Sequence, residues 1–179
     1  MVTFIALLRG INVSGQRMIK MADLKALFES LGFASVQTYI QSGNLVFQVE
    51  NLSENELNKL IQSAILKQFG FEVEVQVFSE STWKQIIVNN PFVMQGGVEE
   101  AHLYVSLLAN KPSQENVEKL ASLYFPEEFI QLRDQSVYLY VPQGYGKAKL
   151  NNNFLESKLK VSATTRNWKT MLALVNMIQ

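Results

Sequence analysis

Apolar and polar positions fall into short blocks that switch between two periods. Residues 2–9, VTFIALLR, form an apolar run of strand length, followed by a polar loop, GINVSGQRMIK. Leu24, Leu27, Phe28 and Leu31 then recur on one face of a helix that Gly32 ends. Residues 34–41 and 44–49 read as two strands joined through Ser42-Gly43. Ser53 and Glu56 have the spacing of a capping box, and Leu57, Leu60, Ile61, Ala64 and Ile65 line the helix that follows. Residues 71–77 alternate strictly, with Phe71, Val73, Val75 and Val77 expected inward. The order is βαββαβ, the ferredoxin-like pattern.

A short helix near Ser81–Asn89, then Pro91 and Gly96-Gly97, separates this block from a second. There, residues 101–108 read as a strand, and Val117, Leu120, Ala121 and Tyr124 as a helix face behind Ser113 as N-cap. Residues 128–133 and 135–141 read as a strand pair, and 152–160 and 165–178 as closing helices. No fourth strand is evident, so the second block reads βαββα plus an extra helix. The fold class is therefore α+β, two ferredoxin-like (βαββα) halves from an internal duplication with an added C-terminal helix. The expected divisions are residues 1–78, a helical linker at 79–100, and 101–179. Leu45, Phe47 and Val49 align with Val137, Leu139 and Val141 at an offset of 92, whereas Phe4 aligns with Leu103 at 99. The first strand–helix loop is then seven residues longer in the first half. Loops longer than their connecting task requires often carry function.

Composition narrows the chemistry. The 179 residues include no cysteine and one histidine, His102, which excludes disulfides, thiolate nucleophiles and thiolate metal sites; no metal site is expected. Sixteen Lys and Arg balance sixteen Asp and Glu, and 47% of residues are hydrophobic, as in a folded domain. No apolar run reaches the length of a membrane span, and the N-terminal run lacks a basic leader. The expectation is a cytoplasmic protein with no membrane partner. Neither a P-loop nor a GxGxxG motif follows the first strand. Glu127-Glu128 is adjacent in sequence and expected to be solvated. Gly144-Tyr145-Gly146-Lys147 resembles a phosphate-cradling loop in composition only.

The segments LLRGINVSG (7–15), Met21-Ala22-Asp23-Leu24, TYIQSGNLVF (38–47), GYGKAKL (144–150) and ATTRNWKT (163–170) together resemble the bacterial family labelled domain of unknown function 1697. Ser14-Gly15 stands where that family commonly has Gly-Gly. The resemblance implies a duplicated α+β fold. It leaves the reaction, any cofactor and any catalytic residue open.

Charge is uneven along the chain. Residues 1–20 hold Arg9, Arg17 and Lys20 without an acid, and residues 143–179 hold Lys147, Lys149, Lys158, Lys160, Arg166 and Lys169 against Glu156 alone. An anionic or phosphorylated small molecule is the ligand this distribution favours. Its expected site comprises Arg9, Asn12, Ser42, Asn44, Lys147, Lys149, Thr165, Arg166 and Asn167. Thr164 or Thr165 is expected to cap the last helix and help hold the anion. One alternative is nucleic-acid binding, with Tyr104, Tyr138 and Tyr140 on one sheet face opposite Val105 and Leu139. The near-neutral charge and a pI near 6.6 weigh against it. Another alternative is a structural or protein-interaction module without a ligand. The sequence leaves the oligomeric state open.

Overall fold

The computed structural model describes residues 1–50 and 52–178. The chain divides into two compact units, residues 1–85 with 173–179, and residues 86–172. Among the described residues no helix is long and apolar enough to cross a membrane.

The first unit carries β1 (Val2–Leu8), α1 (Met21–Ser30), β2 (Ala34–Tyr39), β3 (Asn44–Val49), α2 (Glu54–Phe69) and β4 (Val75–Ser79). Its antiparallel sheet has the order β2-β3-β1-β4. The capping box forms as the spacing predicts, with Ser53 accepting from the Glu56 amide. Gly70 ends α2 in the left-handed conformation at φ 79°. Phe4, Ala6 and Leu8 of β1 meet Leu45 and Phe47 of β3, Val75 and Val77 of β4, and Leu24, Phe28, Leu57, Ile61 and Ile65 from the helices in one core. Phe33 and Phe47 stack there with centroids 4.6 Å apart.

After α3 (Glu80–Val88) and α4 (Pro91–Gln95), the second unit repeats the plan. It has β5 (Leu103–Leu108), α5 (Gln114–Ala121), β6 (Phe129–Arg133), β7 (Ser136–Tyr140), α6 (Asn152–Leu159) and β8 (Ala163–Asn167), and α7 (Trp168–Met177) follows. The sheet order, β6-β7-β5-β8, is that of the first unit. The backbone bonds at the sheet's end repeat as well. Leu8 N donates to Gly43 O and Leu108 N to Gln135 O, each at 2.8 Å; Arg9 N donates to Glu74 O and Ala109 N to Ser162 O, each at 2.9 Å.

Three expectations are corrected. The second half has a fourth strand, because Ala163–Asn167 pairs with β5, Ala163 opposite Leu108 and Arg166 opposite Val105. Thr164 and Thr165 are thus strand residues and cap nothing; α7 begins at Trp168, and Asn167 Oδ1 accepts from the Thr170 amide at 2.8 Å. Arg166 lies in a strand, so no helix dipole opposes it. The second correction concerns the alignment of the first strands. The repeated bonds equate Leu8 with Leu108, an offset of 100, so Phe4 corresponds to Tyr104 and not to Leu103. The loops that follow, residues 9–20 and 109–113, differ by the expected seven residues.

The third correction follows from the second, because a one-residue slip exchanges the faces of a strand. Tyr104 lies opposite Leu139 and Val105 opposite Tyr138. Residues directly opposite in an antiparallel pair share a face. Tyr104 is therefore on the helix side with Leu139, in the cluster of Leu108, Val137, Leu155 and Leu159, whereas Tyr138 shares the other face with Val105. Tyr138 is 1% exposed and its hydroxyl donates to Ile86 O at 2.8 Å. The tyrosines form no common open face for stacking bases.

Candidate functional site

At the end of β1 the chain enters the long loop, where Gly10, Asn12, Ser14, Gly15 and Arg17 all have positive φ. The loop is held from inside by Asn12. Its Nδ2 donates to Ile19 O at 2.9 Å and Gln41 O at 2.8 Å, and its Oδ1 accepts from Ile19 N at 2.8 Å. One asparagine thus ties the loop to its own base and to the β2–β3 turn. That turn needs Gly43, where φ is 76° and a Cβ would sit 2.6 Å from Leu8 Cβ and 2.9 Å from Ile11 Cδ1. Asn44 is fully buried, and its Nδ2 donates to Tyr39 O and to Ser42 Oγ. Asn12, Ser42 and Asn44 therefore shape the loop through these bonds.

The loop forms one wall of a cleft of about 860 Å³ on the first unit. Arg9, Gly10 and Arg17 line it from the loop. Lys59, Gln62, Ser63 and Leu66 line it from α2, at a spacing that puts all four on one helical face. The other face of α2, with Leu57, Ile61 and Ile65, enters the core. Glu72, Val73 and Glu74 complete the lining from the α2–β4 connection. Arg9 Nη1 and Glu74 Oε2 form an ion pair at 2.8 Å. Arg17 and Lys59 make no ion pair among the described residues. Arg17 passes close to Gly10, where a Cβ would lie 3.5 Å from its Nη1, an ordinary contact distance.

In the second unit the expected residues have other neighbours. Thr165 Oγ1 is a hub: it bonds Ser106 Oγ at 2.6 Å, donates to Asn152 Oδ1 and accepts from the Tyr145 hydroxyl at 3.3 Å. The Tyr145 ring stacks on Tyr104 at 4.8 Å, and burial raises its pKa. The GYGKAKL segment is thereby strapped across the helix side of the sheet, with Ala148 and Leu150 buried. Glu128 is not simply solvated: its carboxylate accepts from the amides of Lys149 and Leu150, each at 2.8 Å. Lys147 borders a hollow of only about 40 Å³, room for a water and not for a metabolite. Arg166 Nη1 donates to Thr165 O at 3.0 Å, and burial of the guanidinium lowers its pKa to about 10.

Of the expected residues, Arg9 alone lines the large cleft. Sequence reasoning counted Arg17 as one charge in a basic segment and passed over Lys59, whose signal is an ordinary lysine on the polar side of α2.

No curated protein matches this chain. A conserved bacterial protein, SP0830 from Streptococcus pneumoniae, is similar in structure, with a TM-score of 0.81, 21% identity and coverage of 99% of both chains. At that identity the likeness extends to the fold. A family model described as "Protein of unknown function (DUF1697)" matches residues 1–138, which span both repeats up to β7. The chain belongs to that family.

Proposed function

We propose that this chain binds a small molecule bearing a phosphate or carboxylate in the cleft of the first unit. One observation carries the reading: Arg17 stands on the cleft wall with no carboxylate partner among the described residues. A guanidinium so placed offers a fork of donors suited to a planar or tetrahedral oxyanion. Lys59 adds a second cation, and Gln62 and Ser63 add neutral polar groups. Arg9 is steadied by Glu74. Leu66 and Val73 provide apolar surface, and the volume lies within the range of small-molecule sites. Glu72 and Glu74 on the same walls disfavour a polyanion, so a small anion fits better than a nucleic acid. The reading is one of binding and assigns no catalytic pair.

Thermal melts with phosphate, sulfate, citrate and nucleoside monophosphates test it. A ligand that binds the folded state raises Tm by mass action. Arg17→Ala, at an exposed position, is expected to abolish the rise, with a loss of about 1.5–3 kcal/mol in binding. No shift from any anion, or an undiminished shift in Arg17→Ala, contradicts the reading.

A further inference from the structure

Edge strands present unpaired N–H and C=O groups that folded proteins guard. Three of the four edges here are guarded. Along β4, the amides of Val77 and Ser79 donate to Asn58 and Glu54 of α2, and Val75 O accepts from Gln62. β2 is broken by a bulge between Ala34 and Gln37, with Ser35 at φ 52°. On β8, Ala163 N donates to Glu156 and Thr165 O accepts from Arg166.

β6 is the exception. It runs in regular register along β7 from Phe129 opposite Tyr140 to Arg133 opposite Ser136. The bonds Leu108 N to Gln135 O and Val141 N to His102 O show which β7 residues turn towards β5. The alternate ones, Ser136, Tyr138 and Tyr140, turn towards β6 and bond Arg133, Gln131 and Phe129. Ile130 and Leu132 therefore point their N–H and C=O groups away from the sheet, and these groups have no partner among the described residues.

We propose that β6 is a dimerisation edge, pairing antiparallel with β6 of a second copy about a two-fold axis at Gln131. In that register Ile130 lies opposite the partner's Leu132, and all outward groups of both strands are satisfied at once. Phe129, 49% exposed, lies opposite the partner's Arg133, which brings a guanidinium to an aromatic ring. The half-exposed Ile130 and Leu132 side chains cover one another on the helix side. Glu128 is drawn off the edge by the amides of Lys149 and Leu150. This pattern is self-complementary about Gln131, which favours a second copy over an unrelated extended peptide.

Sedimentation equilibrium of the full chain across the micromolar range tests the proposal, with a dimer expected. Gln131→Lys and Gln131→Glu each place like charges opposite one another at the axis and should each weaken the dimer about tenfold or more. An equimolar mixture of the two should restore it, which also shows that both variants fold. Ile130→Pro removes an outward donor and leaves the β6–β7 ladder intact, so it should give a monomer with an unchanged circular dichroism spectrum. A wild type that stays monomeric across the range, or a dimer indifferent to the charge at 131, overturns the proposal.

Discussion

The two units share a strand order and the backbone bonds that close one end of the sheet, yet they are decorated differently there. Where the first unit has Arg9 and Glu74, the second has Ala109 and Ser162, joined by the same backbone bond but with no ion pair. The first unit continues into a twelve-residue loop, Arg9–Lys20, rich in positive φ; the second reaches Ser113 and starts α5. The same strand order thus occurs twice, while the wide cleft lies beside the long loop of the first unit. On the proposed reading the chemistry belongs to that loop and not to the duplicated frame, in line with the general rule that sites are grafted on folds.

The sharpest way to break this comparison is at the turn. The carbonyls of Gly43 and Gln135 accept the equivalent amide bond from the first strand of their units. Gly43→Ala meets Leu8 at a forbidden distance in a left-handed conformation and should cost more than about 3 kcal/mol in chemical denaturation. Gln135→Ala should stay within about 0.5 kcal/mol. Equal costs would mean that the two turns are not built differently.

A smaller effect is expected at Asn12, which has no counterpart in the short loop of the second unit. Asn12→Ala removes three hydrogen bonds and should destabilise by about 1–3 kcal/mol. It should also weaken anion binding, because the wall carrying Arg17 loses its anchor. Unchanged binding would separate the loop's order from the cleft's function.

The smallest effect is a pH dependence confined to the second unit. Burial raises the pKa of Tyr145 and Tyr138. In the unfolded chain a tyrosine ionises near pH 10, while the folded protein still holds its proton. The unfolded state then binds fewer protons, so stability is retained below about pH 10 and falls above it. Tyr145→Phe removes its share of that fall. The gap in Tm between wild type and this variant should narrow on passing from neutral pH to above pH 10; a constant gap would place the Tyr145 hydroxyl in water.

Much of the frame was legible because its signals are local. Val73, Val75 and Val77 enter the core and the Ser53–Glu56 box formed as read, although the strand runs over Val75–Ser79 and not 71–77, and Gln76 is buried instead of facing out. β5 was misread because it is buried on both sides: Leu103, Val105 and Leu107 are at most 1% exposed, and Ser106 and Leu108 are equally hidden. No polar face marks the pleat of such a strand. β8 was missed because ATTRN has no apolar alternation, and its pairing with β5 is a tertiary fact. The cleft was half legible. Arg9 lies in a conspicuous motif, but Lys59 reaches the same wall only through the packing of α2, which no local pattern records.

The central claim is that the first unit's cleft takes an anion and that the second unit, with the same fold, does not. Amide chemical-shift mapping during titration with phosphate and a nucleoside monophosphate tests both halves of that claim at once. The account predicts saturable shifts at Gly10, Arg17, Ser63 and Glu72, with Ala109, Lys147 and Ser162 unmoved. Shifts of equal size at Ala109 and Ser162, or none at Arg17 and Ser63, would contradict it.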